Sequence, residues 1–341
     1  MKRALKSAIS GERADELREP RRPFDTSLFR GLLLAVRFAV SIGLILWAFR
    51  KIGLNNLIQT WSAISIGELA VAALAVVVLQ CVSAVRWWVV ARFTGVHFTL
   101  LQAIGAYFVG MVFNQVLPGL VGGDAVSSYL LGRRSEASSL SKVLGTAYAQ
   151  RASGFVVMLV VGFASMLHLG IHRNGLLTLS LIGASVAIIL ATLAVALMLR
   201  GRGSSAKLLQ KLGTFSDAAF SFTRSPRALL LVGGLSLFYH LGLIGVLSYI
   251  GSMFGLEANY LTFAAMGIGA TVIAMVPISL GGLGLREEAA VRLWGMMGVA
   301  QADAFGWAVA WRIVNWITAL PGAVIYLLWR SSVKRPTDPI V

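Results

Sequence analysis

Long apolar runs constrain this chain more than any other feature of its sequence. A helix that crosses the hydrocarbon core of a bilayer needs about 20 mostly apolar residues. The chain is 57% apolar and only 13% charged, whereas soluble domains carry about 25% charged residues. This composition excludes a cytosolic globular enzyme, a disordered tail and a secreted disulfide scaffold, and it predicts an all-α integral membrane protein. The six predicted full spans are Gly31–Phe49, Leu69–Val90, Thr146–Leu169, Leu176–Leu199, Ala228–Ile250 and Ala304–Trp329.

Two further apolar stretches are broken by proline and paired glycines. Leu100–Leu117 runs into a Pro-x-x-x-Gly-Gly motif at Pro118, and Leu261–Val276 runs into the same motif at Pro277. Proline lacks the backbone donor and glycine adds backbone freedom, so both end helices. We therefore interpret each stretch as a re-entrant helical hairpin that enters and leaves the membrane on one side.

The distribution of basic residues favours this topology. The formal net charge is +16, and cytoplasmic loops of membrane proteins carry an excess of Lys and Arg. With two hairpins, most basic residues, Arg86 among them, fall on the side of the N-terminus, and only Arg37, Arg151 and Arg312 remain inside spans. We expect a multi-pass membrane protein with both termini cytoplasmic, although other pairings of the segments give a similar count.

The predicted organisation is one transmembrane domain between two polar ends. A basic cytoplasmic segment covers residues 1–30, the membrane domain residues 31–330, and a cytoplasmic tail residues 331–341. The domain divides into halves at about 31–170 and 176–330. Each half has a span, a broken motif and then a span that contains an arginine, and the topology gives the halves opposite orientations. This pattern predicts an inverted repeat with a transporter-like site between its halves, the alternative being chance in a chain with 36 glycines.

Four charged residues beside the breaks and inside the spans are the strongest site candidates. An arginine at the centre of a membrane helix costs about 2.5–3.5 kcal/mol on insertion scales, so Arg151 and Arg312 point to a function. Asp124 and Glu287 follow the two breaks, where a helix N-terminus stabilises a carboxylate. A guanidinium suits bidentate phosphate binding. Two structural alternatives remain open, capping for Asp124 and snorkelling for Arg151.

Two asparagines extend this set of candidates. Asn114 lies just before Pro118, and Asn315 follows Arg312 by about one helical turn. Either side chain could satisfy backbone groups that the breaks leave free, or contact a polar headgroup. The sequence does not decide between these two roles.

The combined motifs resemble the lysylphosphatidylglycerol synthase transmembrane (flippase-like) family. The resemblance covers about residues 30–330 and rests on Asn114-x-x-x-Pro118-x-x-x-Gly122-Gly123-Asp124, Arg151, Gly281-Gly282-x-Gly284-x-Arg286-Glu287 and Arg312. It implies lipid translocation and a functional role for Asp124, Arg151, Glu287 and Arg312, and Arg286 joins the predicted site with its motif. Two-part synthases of this family carry a soluble aminoacyl-transferase domain after the membrane part. The sequence ends at Val341 without one, so we expect a stand-alone member that does not make aminoacyl lipid by itself.

With this resemblance, the first functional prediction is a flippase or transporter of a phosphate-bearing lipid in the bacterial inner membrane. The resemblance extends this class from phospholipids to polyprenyl-phosphate-linked and hopanoid-type lipids. We expect no enzyme activity, no cofactor, no metal and no nucleic-acid partner; the partner is a lipid with an anionic headgroup. A separate lipid-modifying enzyme and an oligomeric state stay open. One alternative is a membrane enzyme such as a polyprenyl-phosphate glycosyltransferase, which needs an acidic metal site. The other is a non-catalytic scaffold for a lipid synthase, which predicts that the buried charges tolerate replacement.

Overall fold

A computed structural model of the chain describes residues 54–62, 64–116, 122–134, 139–170, 206–275 and 279–332, with five separate helical positions between 39 and 50. Within these ranges the chain forms helices and no strand, which confirms the predicted all-α class. The predicted span Leu176–Leu199, nearly all of Gly31–Phe49, the prolines Pro118 and Pro277, residues 1–30 and the end of the tail lie outside the described residues.

Four of the six predicted spans are confirmed as long apolar helices in the described part of the chain. They begin before the apolar runs, because capping serines fix three of the starts: the hydroxyl oxygens of Ser65, Ser139 and Ser225 accept hydrogen bonds from backbone N–H groups in the following turn. The described helices are α1 (Leu54–Ser62), α2 (Ile66–Phe93), α3 (Leu100–Val116), α4 (Gly122–Arg134), α5 (Leu140–His168), α6 (Ala206–Phe220), α7 (Pro226–Met253), α8 (Tyr260–Ala274), α9 (Leu285–Gly295) and α10 (Gln301–Ser332), with α2, α5, α7 and α10 as the four spans.

Each broken stretch folds into two helices that pack against each other. Helix α3 contacts α4, and α8 contacts α9. In the second stretch a short 3-10 turn, Leu280–Gly282, precedes α9, and Gly281, Gly282 and Gly284 have φ angles of +53°, +73° and +81°. Residues that carry a Cβ rarely adopt positive φ angles. The glycines therefore allow the chain to reverse its direction here. The position of these pairs in the bilayer stays a prediction.

The series α2 to α5 recurs as α7 to α10 in the same order. The helix caps recur as well: Ser65 and Ser225 begin the first helix of each series, and Gly95 (φ +70°) and Gly255 (φ +66°) follow its end. Both pairs are 160 residues apart. The two halves thus share their local geometry, whereas their opposite orientation in the membrane stays a prediction.

An aromatic core holds the second half together. Trp294 of α9 packs edge-on against Trp307 of α10, with ring centroids 5.6 Å apart, and against Phe263 of α8 at 5.0 Å. The indole N–H of Trp307 donates to the carbonyl oxygen of Leu247 in α7 at 2.9 Å. Aromatic pairs of this kind contribute about 0.5–1.5 kcal/mol beyond the area they bury. This core fixes α9, and with it the residues at the N-terminus of α9.

Candidate functional site

The structure brings Glu287 and Arg312 together in a buried ion pair. Nε of Arg312 donates to one carboxylate oxygen of Glu287, and Nη2 donates to the other at 3.1 Å. The side chain of Glu287 is 5% exposed and that of Arg312 is 8% exposed. A bidentate pair of this kind is the strong form of a charge-assisted hydrogen bond, and its burial removes most of the screening by water.

The glycine turn before α9 completes the surroundings of this pair. Nη2 of Arg312 also donates to the carbonyl oxygen of Gly282 at 3.0 Å, and Nη1 lies 3.5 Å from that of Gly281. The carboxylate of Glu287 accepts the N–H of Gly284 at 2.8 Å, which caps α9. The broken motif therefore supplies carbonyl acceptors for the guanidinium and a backbone donor for the carboxylate.

A second ion pair joins Asp124 and Arg151 in the first half. Nη2 of Arg151 donates to Oδ1 of Asp124 at 2.6 Å, and Nε contacts Oδ2. Asp124 lies in the first turn of α4, where the helix dipole favours a negative charge. The side chains are 42% exposed for Arg151 and 16% for Asp124, so this pair is the more open of the two.

The two pairs occupy the same positions in the two halves. Asp124 and Glu287 are each the third residue of their short helix, and Arg151 and Arg312 are each the twelfth residue of the long helix that follows. The match includes residue class, helix position and bidentate contact. The two halves therefore agree in these local features, and the inverted repeat itself stays a prediction.

The remaining predicted residues have different surroundings. The amide oxygen of Asn114 accepts the N–H of Gly123 at 3.0 Å, so Asn114 caps α4, which is the first of its two predicted roles. The amide nitrogen of Asn315 donates to the carbonyl oxygen of Trp311 in its own helix at 2.7 Å. Among the described residues, its side chain makes no hydrogen bond to Arg312 or Glu287. Arg286 lies within electrostatic range of Glu287 and Arg312, and its buried Nε has no hydrogen-bond partner in the described part of the chain.

The charge count assigns Arg86 to the inner face of the membrane, which stays a prediction, and the structure adds that its side chain is buried between helices. Arg86 lies inside α2 and is only 4% exposed. Nη1 donates to the hydroxyl of Ser236 at 2.9 Å and Nη2 to that of Ser83 at 3.2 Å. One signal in the sequence could have indicated this burial, because Arg86 falls within the predicted span Leu69–Val90.

A polar network surrounds Arg86 where α2, α3, α5 and α7 meet. The hydroxyl of Tyr107 donates to Gln80 at 3.1 Å and lies 3.0 Å from the hydroxyl oxygen of Ser83. The amide of Gln150 donates to the same Ser83 oxygen at 3.0 Å. Uncharged donors and acceptors therefore fill this region, which the apolar periodicity of α2 does not indicate. Within the described ranges, no three metal-ligating side chains come together.

Comparison with known proteins gives two findings. A family model for the lysylphosphatidylglycerol synthase TM region matches residues 34–322. The chain is also similar to a UPF0104 membrane protein of Pyrococcus horikoshii, with 23% identity over 325 residues that cover 87% of this chain and 96% of the relative. The matched residues include both ion pairs and Arg86.

Proposed function

The chain belongs to the lysylphosphatidylglycerol synthase TM region family, a family of membrane proteins whose name refers to lipid, and from this premise we propose that it moves a phosphate-bearing lipid between the leaflets of the bacterial inner membrane. The lipid class extends from phospholipids to polyprenyl-phosphate-linked and hopanoid-type lipids. The observation that carries the proposal is the pair of arginine–carboxylate contacts at matching positions of the two halves. A site repeated in this way is what a two-sided transporter requires.

In this mechanism the carboxylates act as counterions of the empty site. A lipid phosphate offers a guanidinium the same bidentate geometry as a carboxylate, so it can take the place of Asp124 on Arg151 or of Glu287 on Arg312. The displaced carboxylate stays at the N-terminus of its helix, where backbone donors and the helix dipole stabilise it. The lipid then exchanges between two arginines, one in each half.

The proposal includes a topology. Both termini are cytoplasmic, and the pairs α3/α4 and α8/α9 are re-entrant hairpins that enter from opposite sides of the membrane. The support is the charge distribution of the loops, together with the short length of α3 and α8, which have 17 and 15 residues. A full span needs about 20.

Reconstituted vesicles test the transport step. Purified protein is inserted into vesicles that contain a fluorescent phosphate-bearing lipid, and a membrane-impermeant quencher reports the fraction in the outer leaflet. We expect rapid exchange with the wild type and a loss of about tenfold or more for Arg312→Ala, which removes a charge-assisted contact to the phosphate of about 1.5–3 kcal/mol. Asp124→Asn should slow exchange as well, because the neutral amide no longer competes with the phosphate for Arg151. Arg292→Ala is the matched control, because Arg292 belongs to an exposed pair with Glu288.

Two outcomes contradict the proposal. Wild-type rates in folded Arg312→Ala and Asp124→Asn would remove the site and favour a scaffold role. A change in the mass of the lipid recovered from the vesicles, after incubation with sugar-nucleotide donors, would favour the glycosyltransferase alternative. Flipping conserves every covalent bond of the lipid, so mass spectrometry must find it unaltered.

A further inference from the structure

Arg86 is a buried cation, and no described residue places a carboxylate beside it. It is 4% exposed, its two terminal nitrogens donate to serine hydroxyls, and its Nε has no hydrogen-bond partner among the described residues. The three ion pairs in the described part of the chain leave Arg86 out. Serine oxygens satisfy hydrogen-bonding geometry but do not neutralise a charge. Burial of an unpaired ion carries an effective penalty of several kcal/mol, so this position needs an explanation.

The chain around Arg86 is shaped to hold the guanidinium. Gly154 of α5 lies directly against it, and a Cβ at this position would be 2.8 Å from both Nη1 and Nη2. The guanidinium carbon lies 5.7 Å from the ring centroid of Tyr239, within the range of a cation–π contact. Arg86 belongs to the first half and Ser236 to the second, so this cation also lies where the two halves meet.

Arg86 and Arg151 lie in the same polar region of the first half. The hydroxyl of Ser83 contacts both Arg86 and Tyr107, and Arg86 lies over the ring of Tyr239; the same two tyrosines lie within electrostatic range of Arg151. Gly154 follows Arg151 by three residues on α5, which places both on neighbouring positions of one helix face. Among the described residues, Asp124 is the carboxylate that pairs with an arginine in this region. Two arginines and one aspartate together have a charge of +1.

The second half repeats this balance of charges. Arg286 and Arg312 lie within electrostatic range of each other and of Glu287, and Nε of Arg286 is buried without a partner among the described residues. The neighbouring Glu288 is paired with Arg292. Each of the two clusters therefore combines two arginines with one carboxylate that is paired with one of them, so each cluster has one positive charge in excess.

We propose that Arg86 is the second cation of the first-half site and makes that site selective for a dianionic phosphate, a lipid phosphomonoester or diphosphate, over a phosphodiester. This inference rests on the proposed function and names its substrate class. When the phosphate replaces Asp124 on Arg151, two positive charges face it. A phosphomonoester carries about two negative charges at neutral pH and a phosphodiester carries one. The displaced Asp124 is stabilised by the N-terminus of α4, so the additional charge of the monoester gains from the field of both arginines. Arg86 is a positioning residue that acts through the field at Arg151.

A binding experiment on the purified full chain in a maltoside detergent tests this selectivity. The probes are an alkyl phosphomonoester, a dialkyl phosphodiester of equal carbon number, and inorganic phosphate, each measured by calorimetry. We expect wild-type protein to bind the monoester about tenfold more tightly than the diester, because the additional negative charge interacts favourably with the charge of Arg86 at the effective dielectric constant of about 20 that is typical of protein sites. Arg86→Gln should abolish this ratio, and Arg86→Lys, which keeps the charge, should retain most of it.

The outcomes separate a charge role from a structural one. A purely structural role lowers the affinity for both esters together, and an unchanged ratio in folded Arg86→Gln overturns the inference. If Arg86→Gln does not fold, the wild-type ratio decides, because a ratio near one overturns the inference without any variant. Binding of inorganic phosphate as tight as that of the alkyl monoester overturns the assignment to a lipid headgroup.

The vesicle assay distinguishes this inference from the proposed function. A wild-type protein that flips phosphate-bearing lipid without preferring the monoester refutes the selectivity and leaves the transport proposal intact. A protein that prefers the monoester but does not move lipid refutes transport and leaves the dianion site.

Discussion

The buried pair Glu287–Arg312 gives the sharpest stability prediction. The variant Glu287→Gln keeps the size of the side chain and an amide oxygen that can still accept the N–H of Gly284, but it removes the charge. The guanidinium of Arg312 then stays buried without a charged partner and keeps only uncharged acceptors, among them the glycine carbonyls. A buried pair that loses one member is destabilised by about 3–5 kcal/mol. Coulomb's law agrees: two unit charges about 4 Å apart interact by about 4 kcal/mol at an effective dielectric constant of about 20.

The adjacent residue provides a matched control. Glu288 pairs with Arg292 on the same helix at 2.5 Å, and the Arg292 side chain is 75% exposed. An exposed pair contributes about 0–1 kcal/mol, so Glu288→Gln should change stability little. Both variants carry the same chemical change in the first turn of α9, and they differ in the burial of the arginine that loses its partner.

Equilibrium unfolding by SDS in mixed micelles measures the free energies of unfolding. We expect Glu287→Gln to lose at least about 2 kcal/mol more than Glu288→Gln. The double variant Glu287→Gln/Arg312→Gln should be more stable than Glu287→Gln alone, because it removes the unpaired charge. Equal losses for the two single variants, or a double variant less stable than Glu287→Gln, would refute the reasoning.

Two further predictions concern packing and topology. Gly154→Ala should destabilise the protein by about 1–3 kcal/mol in the same unfolding assay, because its methyl group overlaps the guanidinium of Arg86. Gly234→Ala in α7, where a Cβ meets no atom within 4 Å, should stabilise it by about 0.4–1 kcal/mol, and a loss at both positions would contradict this account. His97 and Glu257 are exposed residues 160 positions apart, one in each half. In a cysteine-free background, a single cysteine at His97 should react with an impermeant thiol reagent from the cytoplasmic side, and one at Glu257 should react from the outer side. Labelling of both positions from the same side would refute the inversion.

Much of the fold could be predicted because the signals are local. An apolar run of sufficient length needs no knowledge of its neighbours, so the spans α2, α5, α7 and α10 follow from hydropathy. The interruptions also follow from residue type, since Gly281, Gly282 and Gly284 adopt φ angles that other residues avoid. The predicted helix starts are less accurate than the predicted spans, because capping serines outside the apolar runs determine where three of the helices begin.

The candidate site could be predicted in its members but not in its partners. Asp124 and Glu287 stand out as carboxylates beside breaks, and Arg151 and Arg312 as arginines inside spans. Their pairing depends on how α4 packs on α5 and α9 on α10. The asparagines show the same limit: Asn114 reaches across to Gly123, whereas Asn315 bonds within its own helix.

The sequence by itself determined the helical membrane class, four described spans, two interrupted stretches and the charges that accompany them. Only the tertiary structure decided that one ion pair is buried and the other partly open, because the aromatic core around Trp294 encloses the second half. It also decided the position of Arg86, whose partner Ser236 and neighbour Gly154 are distant in sequence. Burial and charge pairing arise from contacts between helices, and a side chain's own sequence neighbours do not fix which helix lies opposite.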